Sequence, residues 1–249
     1  MSSRYQKLGI KQTIQPAWMD KTVQLMLAGM SEKEIRIELD SYLSVRKQSG
    51  GIGERGKKTY TMAISLLAAW FAPEEDLIPL RDDLLDIAKV TAVEKWLPLH
   101  WAVISASYPF WFNVARQTGR LLKLQDIITQ KQVFGRLKEQ YGDRETVVRN
   151  ARYAVRSFVA WNVIQDSNNR GYYKKAAPNL IDDQRVATLL LEAALHTIPE
   201  RKATSSFLNH NPGFFPFELP KFLDQDVKHI NDRIDVMRYH SDESSFILK

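Results

Sequence analysis

The chain has 249 residues, of which 44% are hydrophobic and 10% aromatic, a composition typical of a folded protein with a substantial core. It contains no cysteine, so disulfides, thiolate nucleophiles and cysteine-ligated zinc are excluded. The formal net charge of +6 is unevenly distributed, because residues 116–175 hold thirteen basic against five acidic residues and the remainder is net negative. Such a concentration of positive charge is typical of proteins that bind a polyanion.

Nothing in the sequence indicates a signal peptide or a membrane span. Residues 1–20 lack an apolar core. The most hydrophobic stretch, 97–112, is shorter than the ~20 residues that a spanning helix needs, and Pro98, His100 and Pro109 interrupt it. We therefore expect a cytoplasmic protein with no membrane partner.

The N-terminal region predicts a first pair of helices after about fifteen polar, irregular residues. Residues 17–28 form an amphipathic pattern that ends at Gly29, and Ser31 with Glu34 forms a capping box that opens a second helix. The exposed face of this second helix mixes acidic and basic side chains, which suits phosphate contact poorly. We interpret the pair as structural or partner-binding.

Residues 46–58 form a basic loop with four of the eleven glycines. Part of it matches GxGxxG, from Gly51 to Gly56, and GxxxxGK, from Gly51 to Lys57. Both motifs require a strand before the loop, whereas here a helix leads in, so a nucleotide site is disfavoured. Two interpretations stay open, a mobile basic loop that folds over a phosphate backbone and a plain connector. In the first, the contacts would be Arg46, Arg55, Lys57 and Lys58.

The next segments predict helices over 59–71, 81–89 and 111–124, the last preceded by an aromatic segment. The acidic residues of this region are interpreted as a solvated helix face and not as nuclease carboxylates; they are Asp82, Asp83, Asp86 and Glu94. We place a domain boundary near residue 95, between a helical N-terminal domain (1–95) and a second domain (96–249).

A helix–turn–helix and a hairpin are predicted next. Ile127 and Ile128 suit a short strand, Thr129 a helix cap, Gly142 a tight turn, and Asp143 the cap of a second helix. Segments 163–165 and 172–174, joined by turn residues 166–171, predict a β-hairpin.

The second helix of this pair has two distinct faces. Its apolar residues fall on one face at about 100° per residue; they are Val147, Ala151, Ala154, Val155 and Phe158. Arg149, Arg152 and Arg156 fall in one narrow arc on the opposite face. Arginines on the exposed side of such a helix suit reading of the DNA major groove.

The helix pair with its preceding helix, short strand and hairpin resembles the winged helix-turn-helix superfamily over residues 111–176. The resemblance implies a mainly α fold, a helical N-terminal region plus a winged helix-turn-helix with a small β-hairpin wing. It also implies that the second helix enters the major groove while the wing contacts the DNA backbone or minor groove. The implied contact residues are Arg144, Thr146, Arg149, Asn150, Arg152, Tyr153 and Arg156 from the helix, and Arg170, Lys174 and Lys175 from the wing.

The C-terminal third predicts a helix over 182–198, a loop rich in Phe and Pro, a last helix over 221–238 and a polar tail. The loop, with Asn211 to Phe217, either caps the core or forms an exposed docking site. Together with the Tyr108-Pro109-Phe110 segment it resembles uncharacterised proteins of bacterial antiviral-defence islands.

No catalytic arrangement is apparent. The five histidines are scattered without metal-ligand spacing, and no serine lies in a GxSxG context; we expect no metal and no cofactor, and interpret His100 as a core residue. The sequence therefore predicts a non-catalytic protein that binds double-stranded DNA, as a regulator or as the DNA-contacting subunit of a bacterial, antiviral-defence assembly. The alternative is an adaptor whose winged helix contacts other proteins.

Overall fold

A computed structural model describes residues 3–220, 224–238 and 244–249. Within these residues the chain is mainly helical, with small sheets. The helices are α1 (Pro16–Leu27), α2 (Glu32–Ser44), α3 (Lys57–Phe71), α4 (Ile78–Val90), α5 (Leu97–Ser107), α6 (Pro109–Leu122), α7 (Gln130–Tyr141), α8 (Glu145–Ala160), α9 (Gln184–Leu195), α10 (Ser205–Asn209) and α11 (Asp224–Ile230). The strands are β1 (Ile127–Thr129), β2 (Ile164–Asp166), β3 (Tyr172–Lys175), β4 (Asn179–Leu180), β5 (Lys202–Thr204), β6 (Phe217–Glu218), β7 (Ile234–Arg238) and β8 (Ser244–Leu248).

The predicted capping box at Ser31 and the predicted cap at Thr129 are both present, and the latter is also a capping box. The Ser31 backbone N–H donates to the Glu34 carboxylate (2.7 Å), and the Ser31 hydroxyl accepts from the Glu34 N–H (3.4 Å) at the start of α2. At the start of α7, the Thr129 hydroxyl accepts from the Gln132 N–H (3.2 Å). These local contacts explain why the starts of both helices were predictable from a few residues.

The apolar stretch 97–112, which suits a buried helix better than a membrane span, forms all of one helix and the start of a second. α5 ends at Ser107 and α6 begins at Pro109. Proline lacks an N–H and disfavours helical backbone in the residue before it, so the chain breaks at Tyr108, which adopts φ −131° and ψ 82°. α5 shows no polar face because all of its residues from Pro98 to Ala106 are buried.

From α6 to β3 the chain runs helix, strand, helix, helix, strand, strand. The three strands form one antiparallel sheet in the order β1-β3-β2, with Ile128 opposite Tyr173 and Gln165 opposite Lys174. The predicted short strand and hairpin are confirmed. Asp143, however, is not the cap of α8: that position is Arg144, and Asp143 instead forms an ion pair with Lys138 (2.7 Å).

The prediction of a last helix over 221–238 is wrong for most of its length. Residues 221–223 lie outside the described part, α11 ends at Ile230, and β7 follows in a three-stranded sheet of order β5-β8-β7. Asn231 ends the helix by turning its amide toward the buried Glu192 (2.5 Å) and its oxygen toward the Arg233 N–H (3.1 Å). The chain end predicted as a polar tail contributes β8, where Phe246 is fully buried.

One cluster of buried side chains runs from Ile10 to Leu248 among the described residues. At its centre Trp101 packs against four aromatic rings within 6 Å, those of Trp111, Phe158, Phe215 and Phe217, and against Trp161 at 6.0 Å. The Phe/Pro loop thus takes the core-capping role. The same core contains residues from both sides of position 95. The domain boundary at that position remains a prediction.

Candidate nucleic-acid interface

α8 lies with its apolar face on the core and its arginines outward. Val147, Ala151, Ala154 and Phe158 are fully buried, while Arg149, Arg152 and Arg156 are exposed. The helical period predicts this division. The arginine row is therefore accessible to a partner.

The N-terminal segment, residues 7–15, crosses α8 and holds it in place. The backbone N–H of Ile14 donates to the Ser157 hydroxyl (2.8 Å), and the Trp161 indole N–H donates to the Ile14 carbonyl (2.9 Å). The Ser157 hydroxyl in turn donates to the Tyr153 carbonyl (2.8 Å). These buried hydrogen bonds fix the rotation of α8 relative to the rest of the molecule.

The three arginines of the row differ in their partners. Arg156 forms an ion pair with Asp166 of β2 (2.6 Å), which ties the hairpin to α8. Arg149 and Arg152 have no ion pair with any described residue. Because both guanidinium groups are exposed and uncompensated, they form the strongest candidate for phosphate or base contact on this helix.

The hairpin extends the same positive surface. Arg170 lies in its turn, and Lys174 and Lys175 lie on β3; all three are exposed and without an ion pair among the described residues. Residues 144–175 contain seven basic residues against two acidic ones, and one of these two, Asp166, is paired. The surface of α8 and the hairpin is therefore strongly positive.

The other predicted contacts on α8 are placed differently. Arg144 is exposed and donates to the Tyr141 carbonyl (3.0 Å) at the turn. Thr146 and Tyr153 line a cleft beside the helix. Asn150 is only 7% exposed, and its amide donates to the Thr146 carbonyl (2.8 Å). Burial removes Asn150 from the outward surface, because its side chain cannot reach a base edge beside the arginines.

The glycine-rich loop, residues 46–58, contains a small hairpin held by backbone hydrogen bonds. The Lys47 N–H donates to the Gly51 carbonyl (2.7 Å), and the Gly53 N–H donates to the Val45 carbonyl (2.8 Å). Gly53 has φ of +152°, which few other residues tolerate. A helix, α2, leads into the loop, so the strand that both glycine motifs require is not there.

Among the predicted basic contacts of this loop, the arginines are engaged inside the fold. The Arg46 guanidinium stacks on the Tyr42 ring (3.5 Å). Arg55 lies over the Trp18 ring (5.0 Å) and donates to Gln12 (3.2 Å). Lys57 and Lys58, by contrast, are exposed at the start of α3. Phosphate contact by the loop remains a prediction, now centred on its two lysines.

A cleft with a volume of about 760 Å³ lies between the N-terminal segment, α3 and the first half of α8; we call it the α3–α8 cleft. Lys7 and Lys11 line it together with Arg149. Neither lysine was predicted as a site residue, since both lie in an irregular segment far from α8 in the chain. No local pattern indicates which surface such residues will join.

Acidic and histidine side chains are used for structure. Asp83 pairs with Arg185 (2.8 Å) and Arg233 (2.7 Å), and Asp86 pairs with Lys89 (2.6 Å). No three His, Asp or Glu side chains in the described residues are grouped so that they could hold a metal ion. His240, one of the five scattered histidines, lies outside those residues.

His100 is a buried histidine with both ring nitrogens hydrogen-bonded. The Trp70 indole, which can only donate, lies 3.1 Å from Nδ1, so the proton of the neutral ring is on Nε2 and points to Asp20 (2.9 Å). Burial lowers the pKa of His100, and the carboxylate of Asp20 offsets part of this effect. The ring therefore joins α1, α3 and α5 in its neutral form.

No helix in the described ranges is both long enough and apolar enough to cross a bilayer. Comparison of the chain with protein-family models, curated proteins and solved structures gave no match.

Proposed function

We propose that residues 109–175 form a winged helix and that the protein binds double-stranded DNA, without catalysis, through α8 and the β2–β3 hairpin. The order of elements supports this proposal. A helix, a strand, two helices and a hairpin, with the first strand pairing to the last in the order β1-β3-β2, is the arrangement expected of a winged helix.

The observation that carries the proposal is the uncompensated charge of Arg149 and Arg152. A protein that uses surface charge only for solubility has no need to gather unpaired arginines on one helix face. Arginine is also the side chain that binds guanine edges and phosphates in a bidentate manner. A duplex supplies both kinds of acceptor along a groove wide enough for a helix.

In the proposed complex, α8 lies in the major groove with Arg149 and Arg152 toward the DNA. Arg170, Lys174 and Lys175 of the hairpin contact phosphates at the flank, where they add affinity but little sequence preference. Arg156 is already paired with Asp166 and chiefly positions the hairpin. From these assigned contacts we expect that α8 determines sequence specificity, whereas α8 and the hairpin together determine the overall affinity for DNA.

A salt titration of binding to a mixed-sequence duplex tests the proposal. If the two unpaired arginines and the three hairpin residues each neutralise one phosphate, the logarithm of the association constant falls with the logarithm of salt concentration with a slope of about −4.5. Single-stranded DNA and duplex RNA serve as comparison ligands, and we expect weaker binding to both. Absence of duplex binding at low salt, or binding that does not respond to salt, contradicts the proposal.

A second candidate function, an adaptor that contacts another protein, draws on exposed apolar residues beside the sheet. Leu124, Ile127 and Tyr172 are 77%, 49% and 41% exposed. Stable co-purification with a protein partner that is lost on Ile127→Asp, alongside no mobility shift with any duplex, would favour this function over DNA binding.

A further inference from the structure

The α3–α8 cleft has the size of a small-molecule site. Its volume of about 760 Å³ falls within the roughly 300–1,000 Å³ typical of ligand pockets. It is built from three parts of the chain: the N-terminal segment, α3, and the first half of α8. Its walls are therefore held by the same hydrogen bonds that position α8.

The charge of the cleft favours an anion. Lys7, Lys11 and Arg149 line it, and no carboxylate does. None of the three has an ion pair with a described residue. Three uncompensated cations facing one cavity match a phosphate group, which offers several acceptor oxygens and a double negative charge.

One residue in the wall of the cleft, Asn150, carries a buried and unsatisfied acceptor. Asn150 is more than nine-tenths buried, and its Nδ2 donates to the Thr146 carbonyl (2.8 Å), which fixes the orientation of the amide. Its Oδ1 has no hydrogen-bond partner. This oxygen has almost no solvent-accessible surface, so a ligand N–H or O–H reaches it only after a small shift of the cleft wall, and ending the cost of an unpaired buried acceptor favours that shift.

Two aromatic rings add a surface for a flat group. Tyr108 and Tyr153 both line the cleft. The Tyr108 hydroxyl donates to the Ser65 carbonyl (3.0 Å), and burial raises the pKa of Tyr108 to about 12, so the phenol stays neutral beside a bound anion. Gly9, with φ of +71°, allows the backbone of the N-terminal segment to lie directly against the Tyr108 ring.

We propose that the α3–α8 cleft binds a nucleoside monophosphate, with the phosphate on Lys7, Lys11 and Arg149 and an N–H of the base on Asn150 Oδ1. The tyrosine rings contact the face of the base. Every common nucleobase carries an N–H donor on its pairing edge. The phosphate, the flat ring and the N–H donor together therefore indicate a nucleoside monophosphate without selecting one base.

Because Arg149 lines the cleft, nucleotide binding should also affect duplex binding, an inference that rests on the proposed DNA binding. The same guanidinium belongs to the cleft and to the arginine row. A phosphate bound in the cleft neutralises it, so nucleotide and duplex compete for one charge. Occupancy of the cleft itself does not depend on whether the protein binds DNA.

Isothermal titration calorimetry of the full chain with each of the four common nucleoside 5′-monophosphates tests the site. We expect saturable binding of at least one of them, at least tenfold tighter than ribose 5-phosphate or the free nucleoside. No saturable binding at millimolar concentration overturns the proposal, and so does equal affinity for ribose 5-phosphate, since that result indicates an anion site without base recognition.

Variants separate the contributions of the cleft. Lys7→Ala/Lys11→Ala should weaken nucleotide binding at least tenfold, whereas the charge-matched Lys33→Ala/Arg36→Ala on α2 should change it less than twofold. Asn150→Leu should reduce the affinity to that of ribose 5-phosphate, with an unchanged circular dichroism spectrum as the check on folding. Equal losses in both double variants, or full base discrimination in Asn150→Leu, contradict the assignment.

A duplex competition assay distinguishes failure of this site from failure of DNA binding. If the nucleotide binds but no duplex does, the cleft proposal stands and the DNA proposal fails. If both bind, we expect saturating nucleotide to weaken duplex binding at least threefold. Duplex binding without any nucleotide binding overturns the cleft proposal alone.

Discussion

The two helix pairs of this molecule, α1–α2 and α7–α8, have the same local construction and different surfaces. In each, a glycine with positive φ makes the turn, Gly29 in the first and Gly142 in the second. On α2, Arg36 pairs with Glu32 (2.8 Å) and lies over the Phe71 ring (4.9 Å). On α8, Arg149 and Arg152 have no comparable partners among the described residues.

The difference shows that a helix–turn–helix outline does not by itself indicate a binding surface. Both pairs bury an apolar face, so packing does not separate them, and the capping of their second helices, a capping box on α2 and no side-chain cap on α8, says nothing about binding. The separating property is whether the exposed charges are already compensated within the chain. Four experiments test this comparison.

The largest expected effect is on DNA affinity. Arg149→Ala/Arg152→Ala on α8 should lower the association constant more than thirtyfold and reduce the magnitude of the salt slope by about two, because two phosphate or base contacts are lost. Lys33→Ala/Arg36→Ala removes the same charge from α2 and should lower the association constant less than twofold. Equal losses, measured by mobility shift at one salt concentration, would mean that total charge and not the α8 surface governs binding.

The second effect concerns the buried anchor of α8. Ser157→Ala leaves the Ile14 N–H unpaired in the core and should lower the free energy of unfolding by about 1–3 kcal/mol. Ser31→Ala removes only the exposed cap of α2, at a cost of about 1 kcal/mol. Urea denaturation of both variants gives the comparison, and a smaller loss for Ser157→Ala would contradict the role of the N-terminal segment as an anchor.

The third effect is a dependence of the free energy of unfolding on pH. It arises at the first helix pair, where His100 of α5 is hydrogen-bonded to Asp20 of α1. The pKa of His100 is lowered in the folded state, so the unfolded chain binds more protons once the pH falls below about 6.5. Stability is therefore fully present above this value and should fall on acidification, by at most about 1.4 kcal/mol per pH unit.

His100→Gln should flatten that slope between pH 6.5 and the pH at which carboxylates titrate, as measured by thermal unfolding. The matched control is His210→Gln, because His210 is exposed and should leave the slope unchanged. An unaltered slope in His100→Gln would assign the acid sensitivity to other groups.

The smallest effect has the opposite sign. Asp166→Asn removes the acidic partner of Arg156 and should strengthen duplex binding by about threefold, while stability changes by less than about 1 kcal/mol because the ion pair is exposed. Asp86→Asn breaks an equally exposed pair far along the chain from α8 and serves as the control. Weaker duplex binding by Asp166→Asn would show that Asp166 is needed to position Arg156 and the hairpin.

Features that depend on neighbours in the chain were predictable. The capping residues Ser31 and Thr129, the two faces of α8 and the β2–β3 hairpin all follow from spacings of a few residues. Asp143 shows the limit even at this range, since a nearby lysine, Lys138, competes for the carboxylate that would have capped the helix.

Features that depend on distant partners were not predictable. β7 exists because β8 pairs with it, and residues 231–233 turn toward Glu192, which lies about forty positions earlier. The cleft brings Lys7 to Arg149, and the burial of Asn150 depends on the same approach of the N-terminal segment. Helical periodicity places Asn150 at the border between the two faces and cannot say what covers that border.

The hydrogen bonds between Ile14 and α8 also bear on the order in which the protein acquires its structure. The first of these bonds joins residues that are 143 positions apart in the sequence, and the second joins residues that are 147 positions apart. Contacts of this kind slow folding, since a long loop must close before they form. During synthesis the segment that anchors α8 emerges first and must wait for more than half of the chain, so we expect the arginine-bearing helix to reach its final position late.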